Sequence, residues 1–194
     1  GHPQGADAGR KMGLRISFCL LMACLGVSAQ EQTQESFWKI KQGETVDLAP
    51  YKFFLPESRS IELKDWKDKA VLIIYIRAFD KPSLDFLKKF EETAWPAIRN
   101  KNIACVIAGH GDQLPSMLSW FEDNHCNFTF PVANDPSHRL HNTLCSVAQR
   151  FPHIVVLDKE HRFCVGIVGG GDLASEEFIK MIDQVIDVGC PPTS

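Results

Sequence analysis

An apolar run, KAVLIIYI, at residues 69–76 limits the folds that this chain can adopt. After its leading lysine the run carries no charge, and four of its residues are β-branched. Such a run is typical of a strand that is buried on both faces of a sheet. Each face of that sheet then needs a covering layer, so the chain is predicted to fold as an α/β protein around this strand.

Further strands are predicted on both sides of this run. The sequence predicts two short strands on either side of residues 56–58, which would form an N-terminal β-hairpin. Apolar segments at 103–109 and 128–132 predict a second buried strand and a short one. The segments at 153–158 and 162–168 are so closely spaced that they are expected to form an antiparallel hairpin.

Four amphipathic helices are predicted between and after these strands. The first carries apolar side chains at three- and four-residue steps, and Pro96 is expected to kink or end it. The third begins with Asp135 and Pro136, a capping residue and a proline that suits the first helical position. The element order implies a central mixed sheet with helices on both faces. The predicted helices span 80–98, 115–125, 135–148 and 175–187.

Composition and charge exclude some classes of function. The 194 residues are 44% hydrophobic and 23% charged, which is ordinary for one globular domain. The formal net charge is −3, and lysine and arginine form no cluster along the chain. A surface for nucleic acid or for an anionic membrane is therefore not expected.

The first 29 residues are predicted to be a leader that lies outside the fold. They contain a basic residue, Arg15, an apolar run at 16–27 and a small-residue ending at Ala29, the pattern of a secretory signal peptide. The protein is therefore expected to be exported, to the periplasm or the extracellular space. A rival interpretation of the LMAC sequence has Cys24 lipidated, and only then is a membrane expected as a partner.

The remaining boundaries follow from composition. Residues 1–11 are expected to be an upstream extension or residues added in cloning, and residues 30–44 a polar lead-in. One folded domain is predicted over 45–188, followed by a short tail at 189–194, since the chain after the leader is too short for two ordinary domains.

Five cysteines follow the predicted leader, an odd number, so at least one is expected to stay free or to pair with another chain. Cys105 and Cys164 lie in predicted strands and are expected in the core. Cys190 lies in a tail that is expected to be loose, where it could link two chains. A structural bridge between Cys126 and Cys145 is a further expectation.

The element order and two local motifs resemble the thioredoxin superfamily. The motifs are RAFDKPS at 77–83, directly after the buried strand, and Phe151-Pro152, directly before the hairpin. The likeness covers roughly residues 45–188 and is nearest to exported TlpA/ResA-type thiol-disulfide reductases and the redoxin (AhpC/TSA-like) group. It implies a thioredoxin-like fold in which Pro152 is a cis-proline that faces the active site. The alternative is a trans-proline that begins an edge strand.

The resemblance places Asp80 and Ser83 where that superfamily carries a Cys-x-x-Cys pair. The free amides and the dipole of a helix start lower the pKa of a thiol there, and they would equally stabilise the Asp80 carboxylate as a helix cap. Neither a carboxylate nor an alcohol performs thiol-disulfide exchange, and a hydroxyl at Ser83 would not reduce a peroxide. The usual dithiol reaction is therefore expected to be absent.

Two functions compete under this interpretation. The favoured one is non-enzymatic: a cleft that binds an extended peptide or a partner protein beside the cis-proline, which needs no cysteine and no cofactor. The other is a thiol-disulfide oxidoreductase or thiol peroxidase in which Cys145 is a displaced nucleophile and Cys126 resolves it. The predicted binding cleft consists of Phe79, Asp80, Lys81, Pro82, Ser83, Phe151 and Pro152.

Histidines near the third predicted helix offer one more candidate site. His138, His141 and Cys145 have helical spacing and would share one face as potential metal ligands. No fourth ligand is fixed by the sequence, so a metal is not expected. The simpler interpretation of Cys145 is a small residue packed in the core. His110 and His153 are expected to border the same face, without an orienting acid that the sequence identifies.

Overall fold

The computed structural model of the chain describes residues 37–110, 114–146, 150–169 and 175–190. The predicted signal peptide, with Cys24, and most of the predicted tail lie outside these residues. Within the described ranges, no helix combines the length and the apolar character that a membrane span requires.

A mixed sheet of seven strands forms the centre of the described chain, as predicted. In chain order the strands are β1 (Lys52–Phe54), β2 (Ser60–Glu62), β3 (Ala70–Ile76), β4 (Ile103–Gly109), β5 (Val132–Asn134), β6 (His153–Leu157) and β7 (Phe163–Val168). Their order across the sheet is β2-β1-β5-β4-β3-β6-β7. Strand β4 pairs in parallel with β3 and β5, whereas the hairpins β1-β2 and β6-β7 and the pairs β1-β5 and β3-β6 are antiparallel.

Strand β3 is the buried centre that the apolar run predicts. Every residue from Ala70 to Ile76 is buried. Side chains such as Ile74 belong to the hydrophobic core on one face of the sheet, and alternate side chains such as Ile73 belong to the core on the other face. The alternation is the two-residue period of a strand, so both faces of β3 are covered.

Helices cover both faces of the sheet, which confirms the predicted layers. Helices α1, α2, α3 and α5 pack on the Ile74 face, whereas α4 and a 3-10 helix at Leu63–Trp66 pack on the Ile73 face. The helices are α1 (Lys81–Glu92), α2 (Ala94–Ile98), α3 (Leu114–Asp123), α4 (Arg139–Leu144) and α5 (Glu176–Val188).

The predicted helix at 80–98 is divided, as Pro96 suggests. Helix α1 ends at Glu92, Thr93 lies between the helices, and α2 contains Pro96 as its third residue. Proline has no N–H to donate to the carbonyl four residues earlier, here Glu92, and its ring clashes with that carbonyl. The break therefore falls one turn before the proline.

The short strand predicted at 128–132 lies later in the chain, at Val132–Asn134. The backbone N–H of Thr129 donates to the Glu91 carboxylate on α1, and the Phe128 and Phe130 rings stack with centroids 4.7 Å apart. This segment is therefore bonded to a helix, and it joins the sheet only after Pro131.

The helix predicted at 135–148 is shorter than expected. A 3-10 turn with Ser137 and His138 in left-handed backbone conformations precedes α4, which ends at Leu144. Asp135 makes no capping hydrogen bond to the 3-10 turn that follows it, but its carboxylate accepts the N–H groups of Leu140 and His141, which lie in the first turn of α4. Cys145 follows the helix in extended conformation.

The disulfide pattern also differs from the prediction. Cys164 is bonded to Cys190, with Cα atoms 4.8 Å apart, so Cys190 is neither loose nor available to link two chains. Cys126 and Cys145 are free and pack against opposite faces of the sheet, so the predicted bridge between them is wrong. Cys105 is a buried free thiol, which confirms that at least one thiol stays unpaired.

Candidate functional site

An acid and an alcohol bonded to each other occupy the start of α1. One oxygen of Asp80, Oδ2, accepts the backbone N–H of Ser83 at 2.9 Å and the Ser83 hydroxyl at 2.6 Å. Ser83 has no solvent exposure. Lys81, the next residue along the chain, forms an ion pair with Asp85. Asp80 therefore acts as a helix cap and hydrogen-bond acceptor, and Ser83 is a buried donor that presents no hydroxyl to solvent.

Phe79 projects from the chain directly before this cap. Its backbone φ is 63°, a left-handed conformation that is a strained outlier for a bulky residue. The side chain is 72% exposed, and its ring centroid lies 5.9 Å from that of Trp120. An aromatic ring is thus held towards solvent at the predicted cleft.

The Phe151-Pro152 loop lies at the same edge of the sheet. The peptide bond before Pro152 is cis, as the resemblance implies. The Pro152 carbonyl accepts the N–H of Gly169 at 2.9 Å, which ties the loop to the end of β7. The next residue, His153, pairs with Tyr75 near the end of β3, so the loop and the start of α1 adjoin.

Three potential metal ligands converge behind this loop. The ring nitrogens of His141 and His153 and the sulfur of Cys145 offer atoms that all lie within 4.8 Å of one another, and all three residues are buried. The two rings share a hydrogen bond of 2.9 Å between His141 Nε2 and His153 Nδ1. These three residues are named here the His-Cys cluster.

His138 is not part of the His-Cys cluster, so the predicted set of His138, His141 and Cys145 is wrong. The cause is local geometry, because His138 lies before α4 in a left-handed conformation and Cys145 leaves the helix. The His138 ring stacks on His110 with centroids 4.4 Å apart, and His110 contacts the rings of His141 and Phe151. His110 and His153 do border this face, as expected.

A buried acid lies beside the cluster. Asp135 Oδ2 accepts the N–H of His141 at 2.9 Å and the hydroxyl of Tyr75 at 3.3 Å. Burial raises the pKa of Asp135, and its hydrogen bonds from the His141 and Leu140 amides oppose that shift. Burial also raises the pKa of Tyr75, with the Asp135 charge as the next cause. Asp135 is thus bonded to the backbone of His141 and orients α4.

Solved structures resemble this chain in fold, although no family model and no curated protein matches its sequence. A Bacteroides thetaiotaomicron protein described as a protein disulfide isomerase aligns with TM-score 0.64 and 15% identity, over 77% of this chain and 90% of that one. A mutant of the peroxiredoxin PrxQ from Xylella fastidiosa aligns with TM-score 0.61 and 16% identity, over 74% and 96%. The exposed lipoprotein thioredoxin of Streptococcus pneumoniae aligns with TM-score 0.55 and 19% identity, over 69% and 98%.

The chain has a thioredoxin-like fold. Sequence identities of this size support a shared fold but not a shared function. The chemistry of this chain therefore has to be argued from the residues of its own site. In this thioredoxin-like fold the start of α1 offers Asp80 and Ser83, so any thiol chemistry must come from a cysteine elsewhere.

Cys145 is poorly suited to such chemistry. Only 2% of the residue is exposed, and burial raises the pKa of its thiol to about 12, with the Lys39 charge opposing the shift. The thiolate is the nucleophile in disulfide and peroxide reactions, so this burial disfavours the reactive form of Cys145 at neutral pH. Cys126, the predicted resolving partner, lies on the opposite face of the sheet.

The sequence does not reveal the contacts that some residues make in this region. The sequence presents Asp135 only as a helix cap and Tyr75 only as part of a buried strand. Trp38, inside the predicted polar lead-in, forms a β-bridge with Cys145 and packs on Gly166, where a Cβ atom would meet its ring at 2.4 Å. The glycine is the only local signal for this contact, because a strand interior otherwise disfavours glycine.

Proposed function

We propose that this protein is a non-enzymatic binding module whose cleft holds an extended peptide segment of a partner protein. In this proposal the cleft lies between the start of α1 and the Phe151-Pro152 loop. The observation that carries the proposal is Phe79, an aromatic side chain held towards solvent on a left-handed backbone. Strained conformations of this kind persist where the surrounding structure enforces them, and they cluster at binding sites.

The neighbouring contacts support a preformed cleft. The Asp80 cap fixes the backbone that follows Phe79, and the ring of Phe151 packs on His153 with centroids 4.1 Å apart. A surface that is already ordered loses little conformational entropy on binding. The resemblance adds that backbone groups beside a cis-proline pair with substrate in a strand-like manner, which would align an extended peptide along this edge.

We also propose that the module acts outside the cytoplasm. The signal-peptide pattern before Ala29 supports this location. The disulfide between Cys164 and Cys190 fits an oxidising compartment, since such bonds are rare in reducing ones. The likeness in fold to an exposed lipoprotein thioredoxin is in keeping with it.

A phage-displayed library of random short peptides tests the binding proposal. Selected peptides are synthesised and titrated against the wild type, against Phe79→Ser and against Phe54→Ser. Phe54 is 45% exposed on β1 and serves as the matched control. We expect peptides with an apolar residue whose affinity falls about tenfold or more with Phe79→Ser and is unchanged with Phe54→Ser. A library that yields no binder, or binders indifferent to Phe79, contradicts the proposal.

The alternative function is thiol-disulfide exchange or peroxide reduction through Cys145. The redox enzymes among the similar structures favour it, whereas the burial of Cys145 disfavours it. Insulin reduction and peroxide consumption decide between the two. The binding proposal expects both rates to equal the background, and activity that disappears in Cys145→Ser would establish the alternative.

A further inference from the structure

The His-Cys cluster contains a buried polar atom that the fold does not satisfy. Among the described residues His141 Nδ1 has no partner that meets the geometry of a hydrogen bond, although the Asn142 side chain interacts with the ring, and the residue is 2% exposed. Buried polar atoms in native proteins nearly always have a partner, and an orphan often marks a missing ion or water. His153 has no exposure and Cys145 has 2%. Two imidazoles and a thiol thus converge in a buried setting where each polar group is costly to bury without a partner.

The spacing of the ligand atoms suits one metal ion. With metal–nitrogen and metal–sulfur bonds of about 2.0 and 2.3 Å, ligand atoms around a single ion lie about 3.3–4.0 Å apart. The three ligand atoms of the cluster already lie within 4.8 Å of one another. Small side-chain rotations are enough to close the remaining gap.

We propose that His141, Cys145 and His153 bind one Cu(I) ion in a three-coordinate site. On binding, the S–H bond of Cys145 is replaced by an S–Cu bond and the proton passes to solvent. The copper remains monovalent, so the step needs no oxidant or reductant. A soft thiolate selects Cu(I) over harder ions, and imidazole is also a copper ligand.

Charge and ligand number favour Cu(I) over Zn²⁺. One thiolate and two neutral imidazoles leave a Cu(I) complex uncharged, whereas Zn²⁺ would leave a buried positive charge that is costly without a counterion. No fourth histidine, cysteine, aspartate or glutamate in the described ranges joins the group. The nearby Asp135 carboxylate already accepts the Leu140 and His141 amides. A tetrahedral protein site for zinc is therefore incomplete.

A row of neighbouring histidine rings leads from the His-Cys cluster towards the surface. His138 and His110 are half-buried, and their rings stack with centroids 4.4 Å apart. The His110 ring in turn lies 4.4 Å, centroid to centroid, from that of His141. In the proposal the access route that a buried metal site requires runs past these rings.

Competition with a chromogenic Cu(I) chelator, bicinchoninate, tests the proposal on the full chain. Cys19, Cys24 and Cys126 are replaced by serine so that these thiols cannot bind copper, and ascorbate keeps the copper monovalent. We expect one Cu(I) per chain, a thiolate-to-copper absorption band, and X-ray absorption with one sulfur and two nitrogen neighbours. Cys145→Ala and His153→Gln should each weaken binding at least about 100-fold, more than the loss of an outer contact typically does.

A matched control separates the site from adventitious copper binding. Cys105→Ala removes a buried thiol on the opposite face of the sheet, so it should keep the equilibrium affinity. Circular dichroism verifies that each variant folds, and copper should raise the thermal midpoint only where the cluster is intact. Unchanged affinity in folded Cys145→Ala, loss of affinity in Cys105→Ala, or tighter binding of Zn²⁺ than of Cu(I) would overturn the proposal.

Discussion

The carboxylate of Asp80 accepts both the backbone N–H and the hydroxyl of Ser83 through the same oxygen, Oδ2. Both residues sit at a helix start, where amides and the helix dipole stabilise an anion. The anion at this helix start is a carboxylate that is already bonded, and Ser83 is wholly buried beneath it. This pair explains how the helix is stabilised without a thiolate.

The Asp80 cap should contribute measurably to stability. In Asp80→Ala the first turn of α1 loses its side-chain acceptor and the buried Ser83 hydroxyl loses its partner. We expect the free energy of unfolding in urea to fall by about 2 kcal/mol. Asp85→Ala, which removes an exposed ion pair with Lys81, is the control and should change it by less than about 0.5 kcal/mol. Equal effects of the two variants would refute the capping role.

Gly166 should tolerate no larger side chain while Trp38 lies over it. A Cβ atom at Gly166 would come within 2.4 Å of the Trp38 ring. We expect Gly166→Ala to lower the free energy of unfolding by about 1–3 kcal/mol, as overpacking does. The Phe163 ring would also lie 2.6 Å from that Cβ atom, so Trp38→Leu should relieve only the part of the penalty that Trp38 causes. A double-mutant cycle of positions 38 and 166 should therefore show a coupling of about 1 kcal/mol or more. Additive effects would contradict the contact.

The disulfide should be a main source of stability for the end of the chain. Cys164 and Cys190 are separated by 26 residues, and closing a loop of this size stabilises a protein by about 3 kcal/mol. Dithiothreitol should therefore lower the thermal midpoint of the wild type. Dithiothreitol should not change the thermal midpoint of the variant in which both cysteines are replaced by alanine. If it lowered that midpoint, its effect on the wild type could not be assigned to this disulfide.

Acid should destabilise the protein through His141. Burial is the largest cause that lowers the pKa of His141 to about 3, followed by the charges of His110, His153 and His138. Below pH 6.5 the His141 ring binds a proton in the unfolded chain but stays neutral in the folded protein. The free energy of unfolding therefore decreases as the pH falls from 6.5 towards 3. The expected loss is about 3–5 kcal/mol over that range.

Urea unfolding at a series of pH values measures this effect. His141→Gln should flatten the pH dependence between 6.5 and 4, since glutamine does not titrate there. NMR of the ring protons gives the second readout, because the His141 ring should stay neutral throughout this range. A ring that titrates near pH 6.5 in the folded protein would exclude the buried neutral state.

Much of the fold could be predicted because its strongest signals are local. The apolar run of β3, the amphipathic stripes of α1 and α5, and the closely spaced strands β6 and β7 each lie within a few residues of sequence. The division of the first helix was also predictable, because proline acts on a carbonyl four residues away. These features depend on neighbours in the chain, so their periodicity reveals them.

Only those features of the site that depend on a local sequence motif could be predicted. The cap by Asp80 follows from residue type and position. The convergence of His141, Cys145 and His153 depends on where α4 ends and on how β6 pairs with β3, and the sequence sets neither locally. Pairing of Cys164 with Cys190 likewise requires the end of α5 to reach β7, a tertiary contact that spacing does not reveal.

The rate at which iodoacetamide alkylates Cys145 in the native protein shows whether this buried cysteine can act as a nucleophile. Mass spectrometry follows Cys145 and the half-buried Cys126 in one sample at pH 7. Since burial raises the pKa of the Cys145 thiol to about 12, we expect Cys126 to be labelled while Cys145 reacts no faster than the protein unfolds. Labelling of Cys145 as fast as that of Cys126 would show an available thiolate, and the account of a protein without a working redox cysteine would be wrong.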